Sequence, residues 1–100
     1  MFRWDGGFDL MIQKDFVIPN KLGMHARSAA LFVQTTERFK SAVFISKIGG
    51  RGEVNGKSVM GLMLLAAECG STVRIRIDGP DEKGVLEALD GLFRRKFDED

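Results

Sequence analysis

Thr72-Val73-Arg74-Ile75-Arg76-Ile77-Asp78 is the stretch that decides what kind of sheet this chain builds. Val73, Ile75 and Ile77 share one parity; Arg74 and Arg76 take the other. Successive side chains of a strand point to opposite faces, so the segment predicts a strand with one apolar and one charged side. Strands of a parallel sheet covered on both faces are apolar on both. Alternation therefore marks an antiparallel sheet with one face on a core and the other in water.

Downstream, Gly79-Pro80-Asp81 opens a helix whose buried stripe is Val85, Leu86, Leu89, Leu92 and Phe93. Asp81 and Glu82 stand at its start and Arg94, Arg95 and Lys96 at its end, matching the helix dipole. Upstream, Ser58 is the expected N-cap of an apolar segment over 58–67. Gly61 weakens that segment, which predicts a short helix followed by a loop through Cys69-Gly70. Residues 42–48 are β-branched and aromatic and end in Gly49-Gly50-Arg51-Gly52, a hairpin-grade turn; a short strand at Glu53-Val54 and a second turn at Asn55-Gly56 follow. Over 26–39 the period is helical, with Ala26, Ala29, Phe32, Val33, Thr36 and Phe39 on one side. Ile12, Phe16 and Ile18 share a parity with Lys14, an imperfect strand stopped at Pro19-Asn20. The order is βαββαβα. Three helices on one face of a four-stranded antiparallel sheet give an α+β fold. Residues 1–10 lack any period and are expected to be a flexible extension, with Met11 an alternative start.

Composition narrows the function. The 100 residues suit one domain, and 44% hydrophobic residues can supply its core. Fifteen basic and fourteen acidic residues give a net charge of +1, which speaks against nucleic acid or a polybasic membrane contact. Neither a membrane span nor a secretory signal is visible, and the lone Cys69 cannot form an intramolecular disulfide, so a cytoplasmic protein is expected. One Cys and one His do not make a zinc site. Gly56-Lys57-Ser58 looks like the end of a phosphate-binding loop, but that motif needs glycine where Arg51 stands.

Within Gly23-Met24-His25-Ala26-Arg27-Ser28-Ala29-Ala30 lies the only histidine. It is expected at the first turn of a helix, where backbone N–H groups lack internal partners. An unperturbed imidazole titrates at about pH 6.5, so a nucleophilic nitrogen is available near neutrality. Transfer of a phosphoryl group to imidazole is mostly positioning and charge compensation. The N–H groups of Ala26 and Arg27 and the Arg27 guanidinium are placed to supply both. On these residues alone a phosphoryl carrier and an idle surface histidine are about equally supported.

Gly23-Met24-His25-Ala26-Arg27 resembles the active-site motif of the HPr family, the histidine-containing phosphocarriers of the bacterial phosphotransferase system. Asn55-Gly56-Lys57-Ser58-Val59-Met60-Gly61 resembles the same family's regulatory-serine segment. The resemblance runs over about 11–97, leaving 98–100 as a C-terminal tail. It implies an open-faced β-sandwich and a carrier, itself no enzyme and needing no cofactor or metal. His25 would take the phosphoryl group on Nδ1 from phospho-enzyme I and pass it to a sugar-specific enzyme IIA, with Arg27 stabilising it. Ser58 would be modified by a serine kinase/phosphorylase. A docking patch is expected from Met24, Ala26, Val59, Met60 and Met63, and a monomer is the default. The alternative is an adaptor of the same fold, binding a transcriptional regulator or metabolic enzyme according to its phosphorylation. Ser28 departs from the family pattern, which has proline there. A looser helix start is expected, and proline at that position should stabilise slightly where the backbone suits it.

Overall fold

Val73, Ile75 and Ile77 are fully buried, while Arg74 and Arg76 lie on the solvent side of the sheet. They belong to the strand β4 (Thr72–Asp78) of a computed structural model that describes residues 11–99. Strand β4 is central because both of its edges are paired: β1 (Met11–Val17) on one side and β2 (Ala42–Lys47) on the other. A short β3 (Glu53–Asn55) adds to β2, giving the order β1-β4-β2-β3 with every pair antiparallel. The predicted sheet is the one observed.

Register carries the apolar parity across the strands. Ile77 stands opposite Ile12 and Val43, Ile75 opposite Ile45, and Val73 opposite Phe16. Helices α1 (Ala26–Thr36), α2 (Val59–Leu64) and α3 (Glu82–Arg94) cover that face. Phe32, Leu62, Val85, Leu89 and Leu92 meet it fully buried. Each such side chain contributes about 1.5–3 kcal/mol relative to exposure. The parity of Lys14 also finds its reason. At the sheet edge its ammonium passes 5.0 Å from the Phe16 ring centroid and reaches Asp90 on α3 at 3.4 Å.

On the open face, Arg74 pairs with Asp15, its register partner, at 2.8 Å, and Arg76 with Glu53 at 2.8 Å. The Arg76 guanidinium also lies 4.4 Å from the Phe44 ring centroid. Both arginines are thus committed to carboxylates, as a solvated sheet face requires.

Helix α1 ends at Thr36, three residues before the apolar period does. The Thr36 hydroxyl donates to the Gly56 carbonyl at 2.8 Å and lies 3.2 Å from that of Val33. The chain turns there and brings Phe39 to the core by a bend instead of a helix. Ala26, placed on the apolar side by period, is exposed in the first turn. The expected extension over 1–10 lies outside the described residues. Among the described residues, no helix is long and apolar enough to cross a membrane, and no group of three metal-ligating side chains assembles.

Candidate functional site

The loop leading to α1 is set by a glycine. Gly23 has φ +70°, and a Cβ there would lie 2.6 Å from the Ala67 carbonyl oxygen. The Met24 N–H donates to that same oxygen at 2.8 Å, so the loop is laid against the segment that follows α2. As a result Met24 points into the core and is only 7% exposed. The docking surface expected of its side chain is not there.

His25 follows in extended conformation, φ −124° and ψ −174°, as the N-cap of α1. Its Nδ1 accepts the backbone N–H of Arg27 at 3.3 Å. Capping usually falls to Ser, Thr, Asp or Asn; here a ring nitrogen takes that part. The Ser28 hydroxyl answers from the other side. It accepts the His25 N–H at 3.0 Å and donates to the Gly23 carbonyl at 2.8 Å, with Ser28 fully buried. This reciprocal capping box holds the helix start. The looser start expected of Ser28 is therefore not what its geometry gives, because the side chain supplies the order that a proline ring would impose.

Nε2, on the far edge of the ring, lies 2.7 Å from Oε2 of Glu99. The Glu99 carboxylate also accepts from Asn20 Nδ2 at 3.1 Å, and the buried Asn20 donates to the Gly23 carbonyl at 2.7 Å. The His25 bond foremost, with that from Asn20 and the charge of Arg27, outweighs partial burial and holds the Glu99 carboxyl below its ordinary pKa. The His25 side chain keeps 31% of its surface exposed and that of Glu99 11%, so the ring remains reachable while its partner is mostly covered. Arg27 is exposed and its guanidinium lies 3.4 Å from the Phe97 carbonyl. With Lys21, Leu22, Asp98 and Glu99 it borders a shallow cleft.

Neither Asn20 nor Glu99 stood out in the sequence. Glu99 arrives because a single turn, Lys96–Asp98, reverses the chain after α3. Lys96, Phe97 and Asp98 have φ of +56°, +55° and +58°. Three consecutive left-handed non-glycine residues are strained, and the buried Phe97 ring, 4.9 Å from Phe93, holds them.

Ser58 is where the sequence put it. It caps α2, its Oγ accepting the Gly61 N–H at 3.0 Å. Beyond it, Met60 is 71% exposed, and Met63 and Leu64 are exposed as well, while Val59 is half-buried against the core. Helices α1 and α2 pack on each other, so His25 and Ser58 stand at the starts of neighbouring helices.

Residues 12–95 match the family described as "PTS HPr component phosphorylation site". The chain is 48% identical over 90 residues to the phosphocarrier protein HPr of Xylella fastidiosa strain 9a5c, covering 90% of this chain and 99% of that one. It is 48% identical over 86 residues to the HPr-like protein Crh of Halalkalibacterium halodurans, covering 86% of this chain and 100% of the other. The crystal structure of HPr-C-His from Thermoanaerobacter tengcongensis superposes with a TM-score of 0.82 at 40% identity, covering 89% of this chain and 98% of its own.

Proposed function

Because this chain belongs to the HPr family and acts as a phosphocarrier of the phosphotransferase system, we propose that His25 is the residue that carries the phosphoryl group. The observation behind this reading is the N-cap geometry. Nδ1 faces the Arg27 N–H in the first turn of α1, on a ring that keeps 31% of its side-chain surface exposed. Its lone pair forms the N–P bond as the donor's bond to phosphorus breaks and the electron pair leaves with the donor, and the 3.3 Å contact from Arg27 N–H gives way. That N–H and the helix dipole then face phosphoryl oxygens, where they stabilise negative charge. The exposed Arg27 guanidinium, held by a long contact to the Phe97 carbonyl, swings in to add a mobile cation.

The donor is phospho-enzyme I and the acceptor a sugar-specific enzyme IIA, each meeting the surface formed by Ala26, Arg27, Val59, Met60 and Met63. Such docking is brief and small, as a cytoplasmic monomer that alternates between partners requires. The protein serves as substrate and product of its partners and catalyses nothing alone. Ser58 is the regulatory position. A phosphate on its Oγ would add roughly two negative charges beside Met60 and Met63. A second reading, an adaptor read out by its phosphorylation, draws on the likeness to Crh. The presented Nδ1 favours the carrier, since an adaptor has no chemical use for it.

One assay separates them: enzyme I with labelled phosphoenolpyruvate, applied to the native chain, His25→Ala and Ser58→Asp. The native chain should take an acid-labile, base-stable label. His25→Ala should take none while keeping its circular dichroism, and Ser58→Asp should accept it more slowly. Label on His25→Ala at the native rate would refute the assignment. No label on the folded native chain would favour the adaptor, and an unchanged Ser58→Asp rate would leave Ser58 a cap only.

A further inference from the structure

Two independent contacts specify the same protonation of the His25 ring. A backbone N–H only donates, so the nitrogen that accepts from Arg27, Nδ1, carries a lone pair. The neutral ring then holds its single proton on Nε2, and that nitrogen is 2.7 Å from Oε2 of Glu99. A carboxylate only accepts, and the ordinary pKa of Glu99 is lowered further by these partners. Nε2–H donating to Glu99 satisfies both ring nitrogens and gives the carboxylate a second donor beside Asn20.

We propose that Glu99 is a positioning residue for phosphoryl transfer: its carboxylate holds the Nε2–H of His25, keeping Nδ1 the nucleophilic nitrogen and neutralising the ring as it becomes charged. The proposal rests on His25 being the acceptor. In the step, the Nδ1 lone pair forms the N–P bond and the donor's bond to phosphorus breaks, its electron pair leaving with the donor. The proton on Nε2 stays in place. A neutral imidazole thereby becomes an N-phosphorylated imidazolium, and its new positive charge develops 2.7 Å from a carboxylate already aimed at it. The interaction is a neutral–ion hydrogen bond before transfer and an ion pair after it, so it strengthens along the reaction coordinate. In the return direction the same pair keeps the ring protonated as it departs from phosphorus, which makes it the better leaving group.

The supporting geometry is built, not incidental. Glu99 sits at the end of a strained left-handed turn, anchored by a fully buried Phe97, and a second donor from the buried Asn20 fixes its carboxylate. Asn20 is in turn tied to Gly23, two residues before the histidine. The carboxylate meets the ring at Nε2, so Nδ1 has only the longer 3.3 Å contact from the Arg27 N–H to give up among the described residues.

The test compares native protein, Glu99→Ala, Glu99→Gln and His25→Ala. Enzyme I with phosphoenolpyruvate gives the transfer kinetics, and 1H–15N NMR of the unphosphorylated proteins gives the ring proton. We expect Glu99→Ala to lower kcat about tenfold, the scale of one charge-assisted hydrogen bond, with KM for the carrier nearly unchanged. Glu99→Gln, which keeps an acceptor but no charge, should recover part of that loss. A protected Nε2–H signal should be seen in the native and Gln proteins and lost in Glu99→Ala. A native kcat in Glu99→Ala would overturn the proposal. So would a loss confined to KM, which would make Glu99 a docking residue. Label on His25→Ala would overturn the His25 reading instead, so the two failures are told apart.

Discussion

At the scale of single residues, Ser28 shows how a side chain can replace a backbone constraint. Its hydroxyl joins the His25 N–H to the Gly23 carbonyl, and it is fully buried. Proline would lower the entropy of the unfolded chain by about 0.5–1 kcal/mol but remove both bonds. Leaving a part-buried N–H without its partner costs about 1–3 kcal/mol. Ser28→Pro is therefore expected to destabilise by about 1 kcal/mol, read as a lower urea midpoint at unchanged m-value. A gain in stability would show that the hydroxyl contributes little. The sequence singled out His25 because a glycine and a helix start flank it, both local signals. Glu99 carries no local signal: it is 74 residues away and reaches the ring through left-handed residues that no propensity favours.

At the scale of elements, Asp81 was legible as a charge at the start of α3, but its principal work is elsewhere. It makes no side-chain cap of its own helix. Its carboxylate accepts the N–H groups of Lys40 and Ser41 at 2.8 and 2.9 Å and the Ser41 hydroxyl at 2.5 Å, clamping the turn between α1 and β2. Those bonds, the Ser41 hydroxyl first, lower its pKa from 3.8 to about 2. The folded value lies below the unfolded one, so this contribution is complete above pH 3.8 and fades as pH falls toward about 2. Asp81→Asn should lower Tm at neutral pH and flatten the acid side of the Tm–pH curve over that interval. A parallel curve, merely displaced, would show that the charge of Asp81 is not what the turn uses. Elements with a clear period, β4 and α3, were readable throughout. The end of α1 was not, because Thr36 stops it with a bond to Gly56, distant in sequence.

At the scale of the molecule, the aromatic rings join what the sheet alone does not. Phe93 of α3 lies 4.6 Å from Phe16 of β1, 6.4 Å from Phe32 of α1 and 4.9 Å from Phe97 of the terminal turn. The exposed ion pairs of the open face add little beside this. Phe97→Ala should cost about 3 kcal/mol, the lower end for a buried phenylalanine because the strain in its turn is released with it. Differential scanning calorimetry measures that directly; a loss under about 1 kcal/mol would mean the turn is not anchored by its ring.

That terminal turn has a practical corollary for anyone handling the protein. Since Glu99 rests on the imidazole, a bulky label joined to Glu99 itself would stand beside the His25 ring. Such a label would crowd the approach to that ring and tug at the carboxylate that holds it. A label on Met11 would avoid this, because Met11 stands six residues, about 20 Å along β1, from Val17, where the chain leaves the sheet toward the His25 loop.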